Sequence, residues 1–140
     1  MLYAAAKLGI DMAVASPKGK EFEPDKAITK ECRHISRAKV EVFNDAKKAV
    51  SGADIIYTDS WMSYRVPKER EPFRVKKLRS FQVNSSLMKK SNNALFMHCL
   101  PAKRGHEVTD DVMDSKASVV IDQAENRMHA QKAILLWLLE

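Results

Sequence analysis

Three points in the 140-residue sequence place residues able to do polar chemistry at the end of an apolar run. In the first, Ala94-Leu95-Phe96-Met97 runs into His98 and Cys99, and Pro101 stops it. In the second, Asp54-Ile55-Ile56-Tyr57-Thr58 is followed by Asp59 and Ser63. In the third, Ser118-Val119-Val120-Ile121 is followed by Asp122 to Arg127. Short apolar runs of this kind deliver side chains to the carboxyl edge of a parallel sheet, where open α/β folds place ligands. Three such ends predict one composite site; the competing reading is three buried strands with ordinary polar loops.

Each candidate residue has two readings. Asp59 and Ser63, four apart, offer a carboxylate for an ammonium group and a hydroxyl for a further hydrogen bond, or else they only cap a loop. Cys99 is a small core hydrophobe, or it contacts a ligand and is ionised by a basic neighbour. His98 is a structural hydrogen-bonder or part of the site. Arg127 is read into the first turn of the last helix, where the helix dipole favours anions and a guanidinium suits an anionic oxygen. Its alternative is a surface salt bridge with Glu125 or Asp122. There is no Walker loop, no zinc spacing and no Ser-His-Asp arrangement, so neither a cofactor nor a metal is expected.

The elements that must position these residues follow from pattern. Residues 2–8 read as the end of a helix stopped by Gly9. Residues 11–15 are a short buried strand closed by Ser16-Pro17, and Glu23-Pro24 opens a helix towards Arg37. Residues 40–43 are a second strand, with Asn44 capping a short helix that ends near Gly52. The third strand is 54–58. An exposed helix over 67–80 and a short one over 85–90 lead to the fourth strand at Phe96. Thr109 caps a turn of helix, 118–121 is a fifth strand, and Asp122 with Glu125 opens the final helix as a capping box. In that helix Met128, Gln131, Leu135 and Leu138 share a face, with Trp137 on its flank.

Alternating strands and helices of these lengths predict an α/β fold, a three-layer doubly wound parallel sheet of Rossmann-like type, in a single domain over 1–140. A chain that opens inside a helix is unusual for this class. In the common order 3-2-1-4-5 the first strand is central, so the sheet is expected to lack its middle strand.

Composition narrows the function classes. Hydrophobic residues make up 45% and charged residues 30%, the balance of a globular chain with one core. No apolar run reaches the ~18 residues of a membrane span, and the apolar start has no basic leader or cleavage pattern. Two cysteines without metal-type spacing suit a reduced, cytoplasmic compartment. The net charge is +6, but nine basic residues against two acidic ones between Arg65 and Lys90 hold the whole excess. That segment lacks interleaved aromatics and reads as a solvated helix face, so neither nucleic acid nor membrane is an expected partner.

The ordered series His98-Cys99-Leu100-Pro101-Ala102, Arg104-Gly105-His106-Glu107-Val108-Thr109-Asp110 and Ala124-Glu125-Asn126-Arg127-Met128-His129-Ala130-Gln131-Lys132-Ala133 resembles the carboxy-terminal half of ornithine carbamoyltransferases. The related aspartate enzymes carry a proline where Cys99 stands. The resemblance implies transfer of the carbamoyl group of carbamoyl phosphate to the side-chain amine of ornithine, giving citrulline and phosphate in arginine metabolism. It assigns Asp59, Ser63 and Tyr64 to ornithine, with Cys99 near the side-chain amine. Cys99, the Leu100 carbonyl and Arg127 go to carbamoyl phosphate, and Cys99 and Arg127 are the catalytic residues.

The resemblance also implies direct attack by an oriented amine, with no covalent thiol intermediate, in a parent enzyme built on trimers. Its Ser-Thr-Arg-Thr-Arg and His-Pro-x-Gln segments belong to an amino-terminal carbamoyl-phosphate domain and do not occur in these 140 residues. Tyr64-Arg65 stands where the family has Met-Gly, which leaves other amines such as putrescine open. A non-catalytic, amino-acid-binding or self-associating domain is the alternative class.

Overall fold

The computed structural model describes residues 1–35, 39–63 and 66–140, in two compact units, Met1–Ser51 and Gly52–Glu140. In the first, α1 (Leu2–Leu8) stops at Gly9, which takes the left-handed conformation (φ 70°) open to glycine. The Gly9 and Ile10 N–H groups then donate to the Ala6 and Ala5 carbonyls, closing the helix end. The strands β1 (Met12–Ala15) and β2 (Val40–Phe43) pair in parallel with Met12 opposite Val40. They are joined through α2 (Lys26–Ile35), whose Cys32 is fully buried with Ala6 and Val40 in this unit's core.

Two caps differ from expectation. The helix α2 starts after Asp25, whose Oδ1 accepts the Ala27 N–H at 2.7 Å, so a carboxylate opens it where Pro24 was expected to. The short α3 (Ala46–Ala49) is capped by Asp45, which accepts from Lys47 N–H at 2.9 Å. Asn44 instead donates its side-chain amide to the Ser16 carbonyl and to Glu23. A cap must have its oxygen aimed at the second or third helical N–H, and Asn44 is one residue too early.

The second unit carries the candidate site. Here β3 (Ile55–Thr58) and β4 (Leu95–His98) pair in parallel, Ile55 opposite Leu95 and Thr58 opposite His98. Phe96 at the centre of β4 is fully buried. The crossover between them contains α4 (Glu71–Leu78), flanked by single 3-10 turns at Lys68–Arg70 and Arg79–Phe81, and α5 (Ser85–Met88) capped by Asn84. Thr109 stands at the N-cap of α6 (Asp110–Met113) without accepting a backbone N–H of the helix on its side chain. Its hydroxyl lies 3.4 Å from the Val83 carbonyl.

The expected fifth strand does not form. The Phe96 N–H donates to Ala117 O, and the Val119 N–H donates back to Phe96 O. Only Ser118 bridges to β4, and α7 (Val120–Leu139) begins at once. Strand preference in Val119-Val120-Ile121 yields to context. No side chain caps α7, so the expected Asp122–Glu125 capping box is absent; Asp122 lies in the first turn.

Parallel strands joined through helices place the chain in the Rossmann-like α/β class, as the sequence pattern predicts. Among the described residues the ladders are β1–β2 and β3–β4, and no strand joins the two pairs.

Candidate functional site

The carboxyl ends of β3 and β4 lie side by side because Thr58 and His98 are register partners. The next residue of each chain segment meets across that step: the Cys99 thiol donates to Asp59 Oδ1 at 3.0 Å. The Ser60 N–H donates to the same oxygen at 2.7 Å, so Oδ2 is the oxygen offered to a cation. A second tie, from the Ser60 hydroxyl to the Pro101 carbonyl at 2.9 Å, fastens the two loops together.

The Cys99 thiol is not activated. Burial raises its pKa above the ordinary value, and the hydrogen bond to Asp59 and that carboxylate's charge raise it further. A hydrogen bond from Tyr57 acts in the opposite direction but is outweighed. The basic neighbour expected to ionise Cys99 is replaced by an acidic one, and the thiol stays protonated.

Behind the thiol lies a buried polar layer. The His98 N–H donates to Gln123 Oε1 at 3.0 Å, and Gln123 Nε2 donates to the Tyr57 hydroxyl at 3.2 Å. The His98 ring accepts the Leu100 N–H at Nδ1 (2.8 Å) and turns Nε2 towards Glu107 Oε1, 3.6 Å away. Leu100 holds a positive φ of 54° and is followed by a cis Leu100–Pro101 bond. Positive φ is uncommon for a branched apolar residue; the imidazole holds the Leu100 N–H.

An open hollow of about 240 Å³ lies next to these loops, walled by Ser60, Trp61 and Met62 from one and by Pro101, Ala102 and Lys103 from the other. His106 and Glu107 complete the wall. Lys103 is ion-paired to Glu71, which holds the Glu71 carboxyl below its usual range.

Of the residues expected in one site, Asp59, Cys99 and Leu100 come together. Ser63 is exposed on the loop after β3, with its carbonyl accepting the Val66 N–H at 3.0 Å. Tyr64 lies outside the described residues. Arg127 is not in the first turn of α7: the helix starts at Val120, which sets Arg127 about 10 Å further along it, at 1.5 Å per residue. The dipole argument made for it therefore fails, because that field fades within the first turn. Glu125 lies 3.5 Å from His129 in the next turn. Sequence reading missed Tyr57 and Gln123; the one available signal was a phenol at the penultimate position of β3.

Residues 1–138 match the sequence pattern of the Asp/Orn binding domain of aspartate/ornithine carbamoyltransferases. The chain belongs to this family. An ornithine carbamoyltransferase of Pyrococcus horikoshii is 50% identical over 143 aligned positions, covering 99% of this chain and 44% of that relative. The solved ornithine carbamoyltransferase of Pyrococcus furiosus is 50% identical with a TM-score of 0.85, over 96% of this chain and 43% of that one. An N-acetyl-L-ornithine transcarbamylase is similar at 33% identity and a TM-score of 0.81, over 96% and 42%. The chain thus spans under half the length of these relatives, and the family expected from the motif series is borne out.

Proposed function

We propose that the chain is the amine-binding half of an ornithine carbamoyltransferase. The observation that carries this is the Cys99–Asp59 contact at the paired ends of β3 and β4. It sets a carboxylate with one open oxygen beside a neutral thiol and next to the Leu100 carbonyl. Asp59, with Ser63 and Tyr64 on the following loop, takes the amino-acid head of ornithine. The Cys99 sulfur accepts an N–H of the side-chain amine, and the Leu100 carbonyl accepts one from the carbamoyl amide.

With both reactants so held, the neutral amine attacks the carbamoyl carbon. The new C–N bond forms as the C–O bond to phosphate breaks, the amine proton leaves with the departing phosphate, and most of the catalytic advantage is orientation. A protonated thiol suits this path and argues against a covalent thiol intermediate. Arg127 is assigned to carbamoyl phosphate on the family pattern alone. Phosphate itself is gripped by an amino-terminal half carrying the Ser-Thr-Arg-Thr-Arg and His-Pro-x-Gln segments, so the 140 residues alone form no citrulline. A cytoplasmic setting in arginine metabolism and a trimer-based parent go with this reading; the two free thiols support the compartment.

The test is amine choice in a full-length protein carrying this segment, assayed with ornithine, putrescine and N-acetylornithine. Ornithine is expected to be preferred, because Asp59, Ser63 and Cys99 are all present despite Tyr64-Arg65. A clear preference for putrescine, which has no carboxylate, would overturn the assignment of the amino-acid head.

A further inference from the structure

We propose that Gln123 is a positioning residue for the amine site: its side chain stands in for the missing fifth strand and ties the ends of β4 and β3 together beside the Asp59–Cys99 contact. The inference deepens the amine-binding reading above and rests on it for its role in the reaction. It starts from an interrupted ladder. The far edge of β4 bonds the segment before α7 twice, Phe96 N–H to the Ala117 carbonyl at 2.8 Å and Val119 N–H to the Phe96 carbonyl at 3.0 Å. Every second N–H of a strand faces the same side, so the His98 N–H is the next to need an acceptor there. The chain has already turned into α7 at Val120, and Gln123 Oε1, at the end of that first turn, accepts the His98 N–H at 3.0 Å.

The amide does more than fill that gap. A backbone N–H can only donate, so the atom facing His98 is the amide oxygen. The amide nitrogen is then left to donate to the Tyr57 hydroxyl at 3.2 Å. One side chain of α7 thus holds both strands of the site. A glutamine serving only as an acceptor for His98 would need no bond to β3.

Both anchors lie next to the residues that meet in the site. His98 directly precedes Cys99, and Tyr57 is two residues before Asp59. On the loop side of the Cys99–Asp59 contact, the Ser60 hydroxyl holds the Pro101 carbonyl at 2.9 Å. On the strand side, the tie is the Gln123 amide. The contact is bracketed, and loosening one bracket lets thiol and carboxylate move apart. The titratable groups acting on the thiol, Asp59 and Tyr57, come from β3 and its loop. On β4 the His98 ring is engaged by the Leu100 N–H and faces Glu107, while α7 presents an uncharged amide. Removing that amide therefore acts on the thiol through geometry rather than charge.

The experiment has two readouts on the substrate-free chain. Amide hydrogen exchange followed by NMR measures the tie itself, with Phe96, bonded to the Ala117 carbonyl, as internal reference. Gln123→Met keeps the side chain's length without its polar atoms. It should speed exchange at His98 roughly 3–10-fold, the loss of one neutral hydrogen bond, with Phe96 unchanged. Gln123→Glu still accepts from His98 and can accept from Tyr57, so it should preserve the protection. Tyr57→Phe frees only the far end of the amide and should speed His98 by a smaller factor. The second readout is iodoacetamide alkylation across pH 6–11, followed on the Cys99 peptide by mass spectrometry, whose rate tracks the thiolate fraction. As Asp59 moves off the thiol, Gln123→Met should lower the midpoint by about 0.5 unit, raising the rate below it roughly 3-fold. The fall should be at most half as large in Asp59→Asn, and Gln123→Glu should not lower the midpoint.

Equal acceleration at His98 and Phe96, or none at His98, would overturn the tie. Tyr57→Phe leaves the α7 side chain intact and carries that test should Gln123→Met fail to fold. An unchanged alkylation midpoint, or an equal fall in both backgrounds, would overturn the positioning of Cys99. Amine choice in a full-length protein tests the amine reading by itself, so either can fail alone.

Discussion

The imidazole of His98 and the carboxylate of Glu107 face each other across 3.6 Å with each side chain about 1% exposed or less. Burial by itself would push the Glu107 pKa up. The neighbouring His98 imidazole and the backbone N–H of Lys103 more than offset it, so the carboxyl titrates below its usual range. A folded-state pKa below the unfolded value gives stability that is present above about pH 4.3 and is lost as pH falls through the folded pKa. Glu107→Gln is therefore expected to cost about 1–3 kcal/mol at neutral pH. In urea melts the gap from wild type should narrow below pH 4; a gap constant from pH 7 to pH 3 would contradict it.

Leu100 makes a second stability prediction. At φ 54° a β-branched side chain is strained more than leucine, whereas asparagine visits this region readily. Leu100→Val should cost about 1–2 kcal/mol, and Leu100→Asn less, since Leu100 is only half-buried. Equal losses in thermal melts would show that backbone conformation does not decide the residue type here.

In a full-length protein carrying this segment, Asp59→Asn should reduce ornithine use by roughly 10–100-fold, the worth of one charged hydrogen bond. Cys99→Ser should reduce it less and move its pH dependence, with carbamoyl phosphate binding largely intact. Steady-state kinetics with each substrate varied would separate these effects. Negligible losses from both would remove Asp59 and Cys99 from the site.

Ile55 and Leu95 sit opposite each other in the β3–β4 ladder and are 55% and 45% exposed. The strand β3 has no hydrogen-bonded neighbour on its other side among the described residues. Neither proline nor lysine occurs within it to block pairing with another chain. The chain is accordingly expected to self-associate, and Ile55→Lys to shift sedimentation towards monomer. A wild-type chain that stays monomeric at tens of micromolar would rule this out.

The four strands were legible because each is a short apolar run bounded by turn residues, and the structure moves their ends by one residue at most. Gly9 was legible for the same kind of reason, since a left-handed helix stop has one common solution. Residues 118–121 misled because Val119-Val120-Ile121 carries strand preference, while the observed helix start depends on contacts to β4 more than twenty residues away. The Asp59–Cys99 encounter was foreseeable from strand ends that share an edge. The protonation of the thiol was not, because it depends on which charged group stands 3 Å away. Tyr57 and Gln123 are 66 positions apart, and only the fold brings that pair into contact.

The twenty residues of α7 bury Val120 alone, and its last two turns expose Leu135, Leu136, Trp137, Leu138 and Leu139. A helix whose apolar side chains are left uncovered lacks the packing that supplies most helical stability. Its helix–coil equilibrium is therefore set by whatever surface covers those side chains, and covering them shifts it by mass action. Ellipticity at 222 nm should depend on protein concentration and decline gradually on warming. The near-ultraviolet signal of buried Trp61 should keep its own, sharper transition.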